Sequence, residues 1–223
     1  MTGIGKATSA AALAIGLCAA APVSATPFTI YDVEINNGET VTLTAPINDV
    51  YAFGQIVLTT SIGIIDAWCI DLFHTIYVGG GQNLPYDTGT ISTNGAGQPL
   101  SATQAEEIAG LIVHGNAMLA GGGTPDDSLA TQLAIWSIEY GNLLSYSAGA
   151  SVTAETNALV ALAPDLSGDG VALISLDGLQ GLATASASDE QTGADITEPA
   201  SIALVGVGIL GLGLLRHARH HRP

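Results

Sequence analysis

Cys69 and Gln132 are the two residues of this chain whose side chains could react with each other. Cys69 stands in Trp68-Cys69-Ile70-Asp71, and Gln132 in Thr131-Gln132-Leu133-Ala134-Ile135-Trp136. A thiolate is a strong nucleophile and attacks a carboxamide carbon when held against it. Ammonia then leaves, and a thioester links the two residues. An amide is a poor acyl donor, so such a bond requires proximity and a hydrogen-bond donor to the oxyanion. Dry walls, for which Trp68 and Trp136 are the candidates, would keep water from hydrolysing it. The plainer reading is a buried free thiol and a core glutamine hydrogen-bonded to a neighbouring backbone. A reason is needed either way, because a buried amide without a partner costs about 1–3 kcal/mol.

The elements that must position the pair are legible from their ends. Thr124-Pro125-Asp126-Asp127 opens a helix with an N-cap, a proline in the first turn and two acids. It runs to Tyr140, with Gly141 as its cap. Leu129, Gln132, Leu133, Trp136 and Tyr140 fall on one stripe, which puts Gln132 on the buried face. Ser101 and Gln104 have capping-box spacing and open an earlier helix ended by Gly121-Gly122-Gly123. A third helix is predicted over Thr153–Leu162, stopped by Pro164.

Residues 28–60 alternate in the manner of strands, with Asn36-Asn37-Gly38-Glu39 as a turn signal. Val50–Thr60 is a further strand, and Ile62–Tyr77 carries Cys69 on or at the end of another. Gly79–Leu100 is dense in Gly, Asn, Pro and Thr and reads as a long loop. Val171–Leu176 returns to strand. The order strand, helix, strand defines an α+β chain.

Other side chains are weighed against this pair. His74 and His114 are possible proton shuttles, with Asp71 and Glu139 as acidic counterparts. A continuous strand through Cys69 would turn His74 to the opposite face. A Cys69–His114 hydrolase dyad is conceivable, but nothing around Cys69 marks a setting that lowers its pKa. Asp165, Ser167 and Asp169 follow the first half of a calcium loop, whose closing acid should fall at Leu176. A turn after Pro164 explains the same residues. No cofactor is implied.

The ends read as addresses. Residues 1–25 have Lys6, an apolar run containing Cys18, and Val23-Ser24-Ala25, which together form a signal peptide cleaved after Ala25. Its removal leaves Cys69 without an intramolecular disulfide partner. Lys6, Arg216, Arg219 and Arg222 are the only Lys and Arg, and all twenty Asp and Glu lie between Asp32 and Glu198. An exported body this acidic repels nucleic acid. Residues 26–183 form its domain, and residues 184–196 an acidic flexible spacer. A helix over Ile202–Leu215 spans about 21 Å, short of a hydrocarbon core of about 30 Å, and a basic tail follows it. That suits transient membrane insertion.

Two resemblances give these residues a context. Trp68-Cys69-Ile70-Asp71 and Thr131-Gln132-Leu133-Ala134-Ile135-Trp136 resemble the aromatic-Cys-Ile-Asp and Thr-Gln-x-Ala motifs of bacterial thioester domains. The resemblance implies a β-rich sandwich or barrel with an inserted helical subdomain and a Cys69–Gln132 thioester, supported by Asp71, Trp68 and Trp136. It implies an adhesin-like protein that captures an amine or hydroxyl on a surface or polymer in a single turnover, and so is not an enzyme. Thr197-Glu198-Pro199-Ala200-Ser201, the short apolar run and the basic end resemble the PEP-CTERM sorting signal over residues 197–223. That implies processing near Glu198 and Pro199 by an exosortase-type transpeptidase, at the surface or in the exopolysaccharide matrix of a Gram-negative bacterium. Two alternatives stay open: a non-covalent matrix protein with Cys69 buried or in an intermolecular disulfide, and a cysteine hydrolase.

Overall fold

The structure, a computed structural model, describes residues 26–186. The signal segment, residues 187–196 of the spacer and the sorting tail, with Ala25, Glu198, Pro199 and the apolar run 202–215, lie outside the described residues. Within them no helix is long and apolar enough to cross a membrane.

Four strands come first: β1 (Phe28–Ala45), β2 (Asp49–Thr60), β3 (Gly63–Cys69) and β4 (Gly79–Gly89). Helices α1 (Ala102–Ala120) and α2 (Pro125–Tyr140) follow, then β5 (Ser145–Ser147), α3 (Ala150–Leu162), β6 (Gly170–Ser175) and β7 (Leu182–Ala185). The class is α+β and β-rich, as the strand and helix signals implied. Every strand pairing is antiparallel, in the order β2-β3-β7-β6-β4-β1-β5. Because β1 also pairs with β2, six of the strands close into a ring, and β5 extends the far end of β1. Closure removes the sheet edges that an open sandwich would have to protect.

β1 departs from the expected hairpin. Asn36-Asn37-Gly38-Glu39 is a bulge within one long strand, not a turn between two, and the register against β2 shifts between Asn36 and Glu39. Asn37 takes a left-handed φ of 54°, which Asn tolerates and which also marks turns. Phe28, Ile30, Val33, Val41 and Leu43 remain buried on either side of the bulge. β4 is the second departure: residues 79–89 are a strand, not loop. Their composition disfavours strand, but β1 on one side and β6 on the other supply the hydrogen bonds. The strand predicted over residues 62–77 stops at Cys69.

Helices α1 and α2 begin and end where their caps predict. Ser101 and Gln104 form a reciprocal box, as do Thr124 and Asp127, and Gly141 takes the positive φ of a helix end. α3 starts earlier than expected, at Ala150. α2 lies against β1 and β2 on one side and against α1 and α3 on the others. Ser128 through Trp136 are therefore all buried, and the predicted stripe is too narrow a description.

One polar chain ties this assembly together. The indole N–H of Trp68 on β3 donates to Asn116 Oδ1 on α1 at 2.8 Å. Gln55 on β2 donates to the same oxygen at 3.0 Å, and its backbone N–H donates to Ser128 Oγ on α2 at 2.9 Å. Gly115, next to Asn116, lets α1 approach closely. A Cβ there would sit 2.6 Å from Thr131 Cγ2 and 3.0 Å from the Trp68 ring. Gly115→Val is expected to cost about 1–3 kcal/mol through overpacking. Denaturant unfolding checks this, as a lower midpoint at unchanged slope.

Candidate functional site

The site begins where a strand loses its neighbour. The pairing of β2 with β3 ends at Ile56 opposite Ala67, two residues before Cys69. In an antiparallel ladder Ala67 and Cys69 direct their peptide groups to the same side. Ile70, facing the other way, donates to Gly181 O. The N–H and C=O of Cys69 are thus left without a strand partner, and a buried peptide group needs one. The Gln132 carboxamide takes the vacant place: Cys69 N–H donates to Gln132 Oε1 at 3.0 Å, and Gln132 Nε2 donates to Cys69 O at 2.8 Å. Gln132 is 0% and Cys69 1% exposed.

Beyond Cys69 the chain turns, and Asp71 makes the turn. Its Oδ1 accepts from the backbone N–H groups of Phe73 at 2.8 Å and His74 at 3.2 Å. Its Oδ2 accepts from Gly181 N–H at 3.3 Å and meets His74 Nδ1 at 2.7 Å. The turn folds the backbone back over the sulfur: the thiol donates to Asp71 O at 3.0 Å, and Asp71 N–H approaches Sγ at 3.4 Å. Gly95 packs on this turn, where a Cβ would collide with Asp71. Tyr140 at the end of α2 accepts from Leu72 and Gly95 N–H groups, joining the turn to the 90–100 loop.

A residue with no sequence signal completes the sulfur's surroundings. Gln180, in the turn between β6 and β7, donates from Nε2 to Sγ at 2.7 Å and to Asp71 O at 3.1 Å. Tyr86 on β4 holds it by donating to its carbonyl at 2.8 Å. Only the closing of β7 onto β3 brings a residue so distant in the chain to Cys69.

Trp68 and Trp136, the candidate dry walls, are both 0% exposed, with Phe53 set edge-on to Trp136 at 4.3 Å, and neither lines the pocket described below. Burial pushes the Cys69 thiol well above its ordinary pKa; nearby Glu139 and Asp71 add to this, while the Asp71 backbone and the Trp136 indole oppose it. The Trp136 N–H completes no hydrogen bond of good geometry, so its help to the sulfur is electrostatic. The resting sulfur is a protonated thiol. Its attack on a carbon must be coupled to loss of that proton.

Cys69, Gln132 and Gln180 line a pocket of about 80 Å³, walled by apolar side chains including Phe53, Leu72 and Ile76. It has room for more than one water-sized group. His74 lines it too. The strand parity that put His74 on the opposite face does not apply, because the strand has ended and the Asp71 turn reverses the chain. His114, on α1, neither lines this pocket nor bonds to Cys69, which removes the geometry of a Cys69–His114 dyad. Cys69 is a free, buried thiol, placed inside the fold and not at a surface suited to an intermolecular disulfide.

The remaining candidates separate. Ser167 and Asp169 line a shallow depression with Glu106, and Asp165 is not among its walls. No group of three or more His, Cys, Asp or Glu able to hold a metal assembles among the described residues. Glu139 is buried on α2, two turns beyond Gln132, and neither carboxyl oxygen has a hydrogen-bond partner. Burial, and secondarily the charge of Asp71, raise its pKa well above the usual range.

No protein-family model matches the chain, and no curated protein matches it. Two solved structures are similar to it. One is the N-terminal thioester domain of a surface protein from Clostridium perfringens, at 14% identity and a TM-score of 0.47, over 71% of this chain and 98% of that one. The other is the N-terminal thioester domain of fibronectin-binding protein SfbI from Streptococcus pyogenes, at 15% identity and a TM-score of 0.43, over 69% of this chain and 92% of that one.

The buried carboxyl has a consequence for stability. A folded pKa raised above the unfolded value of about 4.5 makes the native state hold a proton that the unfolded chain gives up. The associated stability is complete below about pH 4.5 and is lost as pH rises through the folded value. Glu139→Gln removes that titration. The melting temperature of the wild type is expected to fall, relative to the variant, as pH rises from about 4.5 toward the raised folded value. Thermal melts of the pair across that range check it, and parallel curves would contradict the assignment.

Proposed function

We propose that Cys69 and Gln132 form an internal thioester, and that the protein is an exported, adhesin-like surface or matrix component that uses it to attach covalently to a nucleophile. The observation that carries this reading is the reciprocal hydrogen bonding between the Gln132 carboxamide and the Cys69 peptide group. It holds the acyl carbon beside the residue whose sulfur would attack. It also aims the Cys69 N–H at Gln132 Oε1, the atom on which negative charge develops.

In the forming step Sγ bonds to Gln132 Cδ, the Cδ–Nε2 bond breaks, and the thiol proton leaves with the nitrogen as ammonia. In the capture step a nucleophile displaces Sγ from Cδ, an amide or ester forms, and Cys69 regains its proton. The burial of Trp68, Trp136 and Cys69 around one glutamine is consistent with a bond that must stay dry until used. Each molecule turns over once.

The signal peptide cleaved after Ala25 would direct export. The PEP-CTERM-like tail, with Glu198 and Pro199 at its processing point, would make an exosortase-type transpeptidase the partner that releases or re-anchors the protein at a Gram-negative surface. The concentration of all twenty acids between Asp32 and Glu198, without Lys or Arg, argues against nucleic acid as the target.

A second reading rests on the same two hydrogen bonds. They already satisfy the Gln132 amide, and the raised thiol pKa suits an unreactive core cysteine. In that case the protein is a non-covalent matrix component. Intact mass separates the two. The thioester makes the exported protein lighter by one ammonia, and Cys69→Ala or Gln132→Ala abolishes the deficit. Methylamine is expected to add to the wild type and to neither variant. A full mass with a titratable thiol in the unfolded protein would establish the second reading.

A further inference from the structure

We infer that His74, oriented by Asp71, is the general base that activates the captured nucleophile, and that this nucleophile is a hydroxyl. The inference rests on the thioester reading and deepens it. Among the described residues lining the pocket at Cys69 and Gln132, His74 is the one titratable side chain besides Cys69 itself. Cys69 cannot serve as the base, because its sulfur is the leaving group and is bonded to Cδ until the nucleophile has attacked.

The tautomer follows from the hydrogen bonds. Both Asp71 oxygens accept backbone N–H groups, from Phe73, His74 and Gly181, in the pattern of a carboxylate that only accepts. His74 Nδ1, 2.7 Å from Asp71 Oδ2, therefore carries the proton. That leaves Nε2 with its lone pair, and Nε2 makes no hydrogen bond among the described residues. A carboxylate on one ring nitrogen fixes the orientation and the tautomer of the ring. The His74 side chain is 51% exposed while Asp71 is buried, so the ring stands at the pocket mouth, where it can meet solvent and an incoming group.

The base indicates the class of target. A neutral amine attacks a thioester with its own lone pair. A hydroxyl is a weak nucleophile until its proton is taken. The other walls of the pocket carry no charge, which disfavours entry of an ammonium and admits a neutral alcohol. In the step, His74 Nε2 takes the hydroxyl proton as oxygen bonds to Gln132 Cδ. The Cδ–Sγ bond breaks, and Gln180 Nε2, placed on Sγ, holds the departing thiolate. The imidazolium then returns the proton to sulfur. The product is an ester of residue 132 and a free Cys69 thiol.

The test uses the full chain with glycerol as the hydroxyl probe and methylamine as the amine probe, both followed by intact mass. His74→Gln is expected to keep the ammonia deficit and to react with methylamine within about threefold of wild type. Its glycerol adduct is expected to form about 10²–10⁴-fold more slowly, the usual worth of a general base. Added imidazole is expected to restore glycerol capture in His74→Ala. Equal glycerol rates in wild type and His74→Gln, with the deficit present in both, would overturn this inference alone. Equal losses for both probes would make His74 structural and would overturn it too. A wild type with no deficit would overturn the thioester reading and this inference with it. Because His74 is half-exposed, its substitution tests the chemistry without emptying the core.

Discussion

The site depends on one substitution of partners: a side-chain carboxamide stands where a strand should be. β2 leaves β3 before β3 ends, and the peptide group of Cys69 is stranded inside the fold. A buried N–H and C=O cannot stay unpaired without a penalty of about 1–3 kcal/mol each. Gln132 meets both with the two ends of a single planar group. The same constraint that completes the ladder brings a carboxamide to the residue that bears the thiol. Stability and chemistry therefore make the same demand on Gln132.

The surroundings make the exchange rigid. α2 is buried on almost every side, so Gln132 has little freedom to move along or rotate about its helix axis. Asp71 fixes the turn that folds the backbone over Sγ, and the indole of Trp68 is tied through Asn116 to α1 and β2. This is done without Lys or Arg: the one contact between a basic and an acidic side chain among the described residues is His74 with Asp71. Packing and backbone hydrogen bonds carry what cations do in other acidic proteins. Glu139 and the Trp136 N–H stand out against that background as buried polar atoms without partners. Both lie on α2, on the side of Cys69.

Local signals were legible wherever the controlling interaction is local. The N-caps Ser101 and Thr124 and the terminating Gly141 bound their helices correctly, because a cap is decided by atoms a few residues apart. Burial of Gln132 and Trp136 followed from periodicity. The failures share the opposite cause. Asn36-Asn37-Gly38-Glu39 has the chemistry of a turn, and only the pairing of β1 with β2 along its whole length makes it a bulge. Residues 79–89 have loop composition and become β4 because strands on both sides offer unpaired edges. His74 was assigned to the wrong face because strand parity was carried past the point where the strand ends.

Sequence by itself determined the α+β class, the ends of α1 and α2, the cation-free acidic body and the pairing of one cysteine with one glutamine as the residues to watch. These rest on residue type, short spacing and motif. Tertiary structure alone decided the closed ring of strands, the bonding of Gln132 to the Cys69 backbone, the delivery of Gln180 to Sγ, and the return of His74 to the pocket. Each of those depends on where a strand stops or which strand becomes its neighbour. Such contacts are settled by competition among distant segments for the same hydrogen bonds, and a local reading of the chain does not contain that competition.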